Sequence, residues 1–305
     1  MSNLGDRVNL QPAVLLAVLA HPDDETFGMG GTLALYARRG VQVYLVCATR
    51  GEVGDVDPKY LRGFESVAAR REAELRCAAE KLGLSGVYFL NYRDSGMPGS
   101  ADNQHPQALA AQPMEAVARE VAGYIRLLKP QVVLTFDPIG GYRHPDHIAI
   151  HNATVRAFHL AAQADFTDSR ALQPYQADKL YFNNMPRGVM RLMVRGMRLI
   201  GRDPTKFGRN KDIDLASIAE VSFPTHAVVN YQSVAALRDE ASACHASQGG
   251  EGMVGGIFGK FRRWFASRET YMRAEPQPQN SRIERDLFEG LAVTYLNNGK
   301  DGSKA

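Results

Sequence analysis

Residues 13–20 read AVLLAVLA and lead directly into HPDDE at residues 21–25. Eight consecutive apolar residues suit a β-strand and fall well short of the roughly 20 needed to span a bilayer. An uninterrupted apolar run predicts a strand that is covered on both faces, as in parallel sheets. The polar cluster that follows it therefore lies where the chain leaves the sheet.

The rest of the chain alternates strand-like and helix-like patterns. Further strands are predicted at residues 41–48, 86–90 and 131–136, with less regular candidates at 179–183 and 225–229. Helices are predicted at residues 26–39, 60–82, 113–128, 145–162 and 231–247. This alternation predicts an α/β fold with an open, mostly parallel sheet flanked by helices.

A second polar cluster, HPDH at residues 144–147, follows the apolar run at 131–136. Both clusters place possible metal ligands three positions apart: His21 with Asp24, and His144 with His147. On a helical turn this spacing brings two side chains to one side. Ligands of open α/β sheets bind at the carboxyl ends of strands, so the clusters can meet if their strands are neighbours. Strand order is not readable from the sequence.

Three of these four side chains can bind a divalent metal and leave one position open for water or substrate. The chemistry of the residues leaves open which three. The alternative is that the histidines cap helices or form hydrogen bonds in the core. That interpretation suits isolated histidines better than two clusters with matching spacing and placement, so we predict a metal site.

Composition narrows the class of protein. The chain has 305 residues, of which 45% are hydrophobic and 23% charged, as in ordinary soluble globular proteins. A net charge of +3 is too small to indicate a nucleic-acid partner. The first residues lack the pattern of a signal peptide. The three cysteines are few, odd in number and widely spaced, so we expect no disulfide framework and a reducing, cytoplasmic location.

We expect a catalytic core at residues 12–165, a less regular C-terminal portion at 166–296 that completes the fold and the substrate pocket, and a flexible tail at 297–305. The sequence leaves open whether the chain forms a homo-oligomer. Segments 187–202 and 258–265 combine arginines with apolar or aromatic residues. Both are compatible with membrane-surface contact, although a surface helix with a solvated basic face is the commoner meaning of such a pattern.

The two clusters resemble the metal motifs of the PIG-L/LmbE family. The first continues as AHPDDETFGMGG at residues 20–31, and the second reads GYRHPDH at 141–147. Four further segments resemble family segments: TRGE (49–52), RREAEL (70–75), YRDSGM (92–97) and ACHASQ (243–248). The resemblance spans most of residues 13–250. It implies a Rossmann-like core and a zinc-dependent deacetylase of N-acetylglucosamine derivatives, related to those of phosphatidylinositol-glycan, mycothiol and bacillithiol synthesis.

Carried over to this sequence, the family pattern implies that His21, Asp24 and His147 bind zinc and that Asp23 is the general base. Zinc would lower the pKa of water to ~7 and polarise the amide oxygen. Asp23 would take the proton of that water and return it to the leaving amine.

The family pattern also implies that His144 stabilises the oxyanion or supplies a proton, and that Asp146 orients His144. We expect an imidazolium at His144 and the phenol of Tyr142 to stabilise the oxyanion. Each such donor contributes ~3 kcal/mol in comparable sites.

The substrate is expected to be a small amino-sugar compound. The resemblance implies that Arg71 and Asp94 bind sugar hydroxyls, and Arg50 is a further candidate. Their structural alternatives are a surface helix arginine, a turn-forming aspartate and a surface salt-bridge partner, respectively. We interpret His245 and Gln248 as structural residues.

Three other functions remain open at this point. An amidase of the same fold could act on the amide of a thiol conjugate. Two histidines and one carboxylate also match the ligands of non-haem iron oxygenases, so Fe²⁺ or another divalent metal is an alternative to Zn²⁺. Against an oxygenase, Asp23 provides a general base that hydrolysis needs. A third possibility is a carbohydrate-binding protein without catalysis.

Overall fold

The structure is a computed structural model and describes residues 11–168, 170–184, 187–207, 213–254 and 267–295. Its strands, in chain order, are β1 (Gln11–Pro12), β2 (Val14–Leu19), β3 (Gln42–Cys47), β4 (Gly86–Phe89), β5 (Val132–Phe136), β6 (Lys179–Asn184), β7 (Ala227–Asn230), β8 (Arg268–Glu275) and β9 (Val293–Thr294). Its α-helices are α1 (Asp24–Arg38), α2 (Val67–Leu82), α3 (Met114–Leu128), α4 (Gly140–Arg143), α5 (Pro145–Leu160), α6 (Arg187–Leu199), α7 (Leu215–Ile218), α8 (Ala235–Cys244) and α9 (Gly250–Val254). Short 3-10 helices lie at Pro58–Leu61, Ala101–Gln104, Leu109–Ala111, Gln232–Val234 and Ala246–Gln248.

Among these residues, seven strands form one sheet in the order β4-β3-β2-β5-β6-β8-β7, and β1 pairs with β9 in a separate two-stranded sheet. Strands β2 to β6 run parallel, and β8 runs antiparallel to both of its neighbours. This arrangement confirms the predicted α/β fold with a mostly parallel sheet. The chain builds outward from β2 in one direction and from β5 in the other, so the order of strands reverses between them. Such a switch point is where open α/β sheets bind ligands.

Strand β2 is buried along its whole length, as its apolar run predicts. Successive side chains of a strand point to opposite faces of the sheet. Leu15, Ala17 and Leu19 accordingly join the core on one face, and Leu16 and Val18 join the core on the other. Helices α1, α2 and α8 pack together on the first face, and α3 packs against α5 on the second.

Local sequence signals set the ends of several helices. Helix α2 begins after Ser66, whose hydroxyl accepts a hydrogen bond from the amide of Ala69, and ends at Gly83 with φ 76°. The helix predicted at 60–82 therefore begins later in the structure, because Ser66 caps it. A separate 3-10 turn at Pro58–Leu61 precedes it. Helix α5 begins at Pro145, whose fixed φ suits the first helical position.

Two elements differ from the expectation for the less regular C-terminal portion. Strand β8 is absent from the predicted elements because its residues, RETYMRAE, do not alternate between apolar and polar types; its pairing with β6 and β7 defines it. Helix α6 forms in the basic segment 187–202 despite its glycines, and its arginines at 191, 195 and 198 are exposed.

The second basic segment, 258–265, and the tail 297–305 lie outside the described residues. The boundary at 165/166 remains a prediction, since strands from both sides of it share the main sheet.

One cysteine pair corrects the sequence-based expectation of no disulfides. Cys77 of α2 and Cys244 of α8 are joined, with Cα atoms 5.8 Å apart and 167 residues between them in sequence. Spacing along the chain does not reveal the pair, because only the packing of α2 against α8 brings the two residues together. Cys47 is free and buried. In the part of the chain that the structure describes, no helix is long and apolar enough to cross a membrane.

Candidate metal centre

The two clusters meet at the switch point of the sheet. His21 follows β2, and Asp24 begins α1. His144 and His147 lie at the start of α5, which follows β5. Since β2 and β5 are paired neighbours, the two clusters leave the same edge of the sheet side by side. The adjacency that the sequence could only suggest is therefore present.

Three side chains of the clusters form a tight triangle. The Nδ1 atom of His21 lies 3.2 Å from Nε2 of His147. The carboxylate of Asp24 faces both rings, with its oxygens 3.6 Å from Nδ1 of His21 and 3.3 Å from Nε2 of His147. Ligand atoms on a tetrahedral metal with bonds of about 2.0–2.1 Å are themselves about 3.3–3.4 Å apart. The separations in this triangle match a tetrahedral donor set.

The outer nitrogen of each ring has its own partner. Nδ1 of His147 lies 3.2 Å from the carbonyl oxygen of Gly140, and its ring stacks on Phe136 with centroids 3.9 Å apart. Nε2 of His21 lies 3.0 Å from a carboxylate oxygen of Asp146. Such contacts orient metal-binding histidines and leave the inner nitrogen as the ligand. The residues present thus fit a bound divalent metal.

Negative charge around His21 also favours a cation. His21 belongs to two groups of potential ligands, one with His144 and His147 and the other with Asp94 and Asp146. Burial lowers the pKa of His21, but Asp94, Asp146 and Asp24 outweigh burial and raise that pKa well above its ordinary value. A site that holds a proton on a buried imidazole in this way stabilises positive charge.

Asp23 lies between the ligands at the start of α1, with an unusual backbone φ of 127°. One of its carboxylate oxygens accepts a hydrogen bond of 2.9 Å from Nη2 of Arg71. Its amide donates a hydrogen bond of 3.0 Å to Glu25. Burial raises the pKa of Asp23 to about 6, with Asp24 adding to the rise and Arg71 opposing it.

His144 differs from the expectation in its charge and in its partner. Burial, with His21 and His147 nearby, lowers the pKa of His144 to about 2, so it is neutral at pH 7 instead of an imidazolium. Its Nδ1 accepts a hydrogen bond from the backbone amide of Asp146, which places the ring proton on Nε2. The carboxylate of Asp146 contacts His21 and receives hydrogen bonds from the amide and hydroxyl of Ser95. Because α5 starts between them, the backbone and not the carboxylate of Asp146 reaches His144.

A cavity of about 360 Å³ opens beside the cluster, and Tyr142, Asp23, Asp24 and His147 help to line it. The Tyr142 ring stands edge-on to His147, with centroids 4.9 Å apart. Burial raises the pKa of Tyr142 well above its ordinary value, so its phenol keeps its proton at neutral pH. Tyr142 is therefore placed as a hydrogen-bond donor near the triangle.

The three predicted substrate contacts occupy different positions. Arg71 is buried and directs its guanidinium to Asp23 and to the carbonyl oxygens of Pro22 and Gly51. Asp94 is also buried; one of its oxygens lies 3.5 Å from Nε2 of His21 and accepts from the amide of Gly96.

Arg50 is not among the residues that line the cavity. It pairs with Glu72 at 2.7 Å and with the side chain of Asn91 at 2.6 Å, and its guanidinium lies over the Phe89 ring. This placement corresponds to the alternative of a surface salt-bridge partner. The structure does not bring Arg50 to the metal cluster.

Similarity to known proteins agrees with this geometry. Residues 16–158, which contain both clusters, match the family described as PIG-L, GlcNAc-PI de-N-acetylase. The chain is 35% identical over 302 residues to 1D-myo-inositol 2-acetamido-2-deoxy-alpha-D-glucopyranoside deacetylase 2 of Catenulispora acidiphila, covering 92% of this chain and 98% of that one. The chain belongs to the PIG-L family. It is a hydrolase of the deacetylase class.

Solved structures show how far the PIG-L fold extends. N,N'-diacetylchitobiose deacetylase of Pyrococcus horikoshii matches with a TM-score of 0.58 and 22% identity, over 85% of this chain and 83% of that one. The 4-carboxy-2-hydroxymuconate hydratase GalB of Pseudomonas putida matches with a TM-score of 0.56 and 19% identity, over 88% and 98%. At these identities the likeness concerns the fold alone. A hydratase with the same fold shows that the reaction depends on the side chains of the site.

Two contacts at this PIG-L site do not follow from the sequence. His245, interpreted as structural, reaches Glu25 at 2.6 Å, and Glu25 in turn accepts from the amide of Asp23. Ser95 holds the carboxylate of Asp146. Glu25 and Ser95 both lie in the segments that carry the family resemblance, so the sequence contains a signal for their positions. It contains none for their partners, because these contacts join residues far apart in the sequence.

Proposed function

We propose that the chain is a metal-dependent N-deacetylase that hydrolyses the acetamide of an N-acetylglucosamine derivative to a free amine and acetate. The observation that carries the proposal is the convergence of His21, Asp24 and His147 on one point beside Asp23. The relative from Catenulispora acidiphila, which is named for an acetamido sugar joined to inositol, supports the substrate class.

We assign His21, Asp24 and His147 as ligands of Zn²⁺. Two imidazoles and one carboxylate form a common catalytic zinc donor set. The same ligands suit Fe²⁺, so metal content and activity have to be measured on the same preparation. When bound, the metal supplies Lewis acidity that polarises the amide carbonyl and promotes ionisation of water.

Asp23 is the general base of the proposed reaction. With a pKa of about 6, its carboxylate is mostly ionised at pH 7 and still basic enough to accept the proton of the attacking water. The resulting carboxylic acid then returns that proton to the departing nitrogen. The ion pair with Arg71 and the hydrogen bond to Glu25 hold Asp23 in its unusual backbone conformation.

His144 and Tyr142 are the proposed donors to the developing oxyanion. A neutral His144 with its proton on Nε2 can donate without carrying charge, and the phenol of Tyr142 stays protonated. Removal of one such donor costs about 10²–10³-fold in rate in comparable enzymes. Asp146 would act through His21. Arg71 and Asp94 remain candidate substrate contacts, although the guanidinium of Arg71 is already shared with Asp23.

Two adjacent substitutions test the proposal. Asp23→Asn should retain bound zinc and lose activity by about 10²–10⁴-fold, because it removes the base and keeps the size of the side chain. Asp24→Asn should lose zinc, because it removes the anionic ligand. Amine release from N-acetylglucosaminyl compounds is followed in zinc-restored enzyme, with metal content measured by mass spectrometry.

Chelation provides the control for this test. Release of amine that persists in the chelated protein, or in the Asp24→Asn protein after chelation, would refute the metal mechanism. Oxygen consumption during turnover would favour the iron oxygenase instead.

A further inference from the structure

Helix α6 exposes a large apolar surface to solvent. On the side that faces the protein, Met190 and Val194 are each less than a tenth exposed and pack with residues of α7. Leu192 and Leu199 are 71% and 82% exposed, and Ile200, directly after the helix, is 70% exposed. No other large apolar side chain in the described parts of the chain is as exposed as these three. Contiguous apolar exposure of this kind marks a surface that binds a partner.

The three exposed residues lie on the outward side of α6 and are called the exposed stripe below. A helix turns by about 100° per residue, so positions 192 and 199 lie opposite the buried Met190. Two helical turns separate Leu192 from Leu199, which places the two side chains in line along the helix. Because the other side of α6 is already packed against the protein, the exposed stripe is accessible to a partner outside this chain.

A row of arginines runs along one side of the exposed stripe. Arg191, Arg195 and Arg198 follow each other at spacings of four and three residues, which aligns them on the helix, and all three are exposed. Residues 187–207 contain six arginines and lysines and a single acidic residue, Asp203. The carboxylate of Asp203 already accepts hydrogen bonds from the amide and hydroxyl of Thr205. The outward surface of α6 is therefore both apolar and positively charged.

The charge of this surface narrows the kind of partner that fits it. In a symmetric dimer through the exposed stripe, the arginine rows of the two copies would approach each other and repel. A bilayer that contains anionic lipids offers negative charge at its surface and apolar chains directly beneath. An acidic protein also offers negative charge, but it needs an apolar groove of matching shape. A bilayer accommodates protruding leucines without such a match.

We propose that α6 is an interfacial helix that docks this protein on an anionic membrane surface. The exposed stripe enters the upper part of the acyl chains, and the arginine row lies among the headgroups, where aliphatic stems stay over apolar surface and guanidinium groups reach phosphate. A helix of 13 residues is too short to cross a bilayer, so α6 lies along the surface. Docking does not depend on the proposed deacetylase activity.

Sedimentation of the full chain with lipid vesicles tests this proposal. At low ionic strength the protein should pellet with vesicles of phosphatidylglycerol and phosphatidylcholine in equal amounts. It should stay in solution with vesicles of phosphatidylcholine alone, which carry no net charge. Absence of pelleting with the anionic vesicles, or equal pelleting with both kinds, would overturn the proposal.

Paired substitutions test the apolar part of the surface. Leu192→Gln combined with Leu199→Gln should weaken binding to anionic vesicles at least about tenfold, because two side chains no longer leave water for the acyl region. The control is Met114→Gln combined with Leu127→Gln on α3, at positions that are 46% and 40% exposed. The control should bind like the wild type, and thermal melting should be the same in both variants. An equal loss of binding in the control would overturn the role of α6.

A triple substitution tests the charged part of the surface. Each arginine near an anionic surface strengthens binding about fivefold, so Arg191→Gln, Arg195→Gln and Arg198→Gln together should weaken it about a hundredfold. The remaining binding should depend less on salt concentration, since fewer charges are left to screen. The second basic segment supplies the alternative. Binding that persists in the triple variant and is lost in Arg262→Gln with Arg263→Gln would overturn the assignment to α6.

A solvent-sensitive fluorophore reports insertion of the exposed stripe directly. Attached at Leu199→Cys, its emission should shift to shorter wavelength when anionic vesicles are added, whereas the same fluorophore at Leu127→Cys should not respond. The native Cys47 is buried, so labelling goes to the introduced thiol. Vesicle binding without a shift at position 199 would mean attraction to headgroups alone and would overturn the proposed insertion.

Soluble poly-L-glutamate distinguishes a membrane from an acidic protein. It should compete with anionic vesicles only weakly, because it has no apolar region for the exposed stripe. Binding of poly-L-glutamate by a protein that ignores anionic vesicles would favour an acidic protein partner and overturn membrane docking.

Discussion

Arg71 offsets part of the free-energy cost of ionising Asp23 in a buried position. Burial raises the pKa of Asp23, and the guanidinium 2.9 Å away lowers it. Arg71→Met removes the cation, so the pKa of Asp23 should rise further above about 6. If catalysis needs ionised Asp23, the acid limb of kcat/KM should move to higher pH by about one unit.

The measurement is kcat/KM between pH 4 and 8 in metal-saturated enzyme. Arg71→Lys is the control, since it keeps a positive charge and should move the limb less. An acid limb that does not move in Arg71→Met would show that another group limits the rate at low pH.

Glu25 connects Asp23 to the C-terminal portion of the chain. It is fully buried and pairs with His245, while its other oxygen accepts from the amide of Asp23. Burial alone lowers the pKa of His245, but Glu25 outweighs it and leaves that pKa raised. Glu25→Ala should lower the free energy of unfolding by about 3–5 kcal/mol. The substitution leaves the buried His245 and the amide of Asp23 without their hydrogen-bond partner.

Glu25→Gln keeps an acceptor for the amide of Asp23 and should be less destabilising. Urea unfolding of both variants measures the difference. Equal losses of stability in the two would mean that the amide contact contributes nothing and that only the charge matters.

Helices α2 and α8 illustrate how contacts between elements support the site. The Cys77–Cys244 disulfide joins them, and Glu74 of α2 accepts from the amide and hydroxyl of Ser247 just after α8. A disulfide that closes a long loop stabilises a protein by about 2–4 kcal/mol, chiefly by restricting the unfolded chain. The double substitution Cys77→Ser and Cys244→Ser should therefore lower the free energy of unfolding by about 2–4 kcal/mol. Urea unfolding measures this loss as a lower midpoint.

Reductant provides the control for this prediction. It should destabilise the wild-type protein to a similar extent and leave the double variant unchanged. A wild-type midpoint that is insensitive to reductant would contradict the disulfide in the isolated protein.

The sequence predicts a strand or a helix correctly where a single local pattern dominates the segment. The continuous apolar run of β2 and the capped, glycine-terminated α2 carry local signals of strand and helix. Strand β8 carries no such signal, because charged residues occur along most of its length. Its conformation depends on pairing with β6 and β7, which are distant in the sequence.

At the scale of the whole molecule, metal binding should stabilise the folded chain. The triangle of His21, Asp24 and His147 exists only when β2 and β5 are paired, so a metal binds the folded state in preference to the unfolded one. At a free zinc concentration of 100 times Kd, the expected gain is about 2.7 kcal/mol. That gain corresponds to a rise in Tm of about 5 °C for a chain of this size.

Calorimetric scans with and without zinc measure this rise. Asp24→Asn should abolish most of it, whereas Asp23→Asn should retain it. The same rise in Asp24→Asn would place the metal elsewhere, for example on the neighbouring group of His21, Asp94 and Asp146.

The sequence by itself determined the α/β class, the two ligand clusters and their family resemblance, because these depend on short apolar runs and on residues a few positions apart. Tertiary structure alone decided that the clusters face each other, since the order of strands depends on pairings between distant segments. It also decided the partners of Asp23 and His144 and the disulfide. These properties come from burial and from contacts across the fold, which no local pattern records.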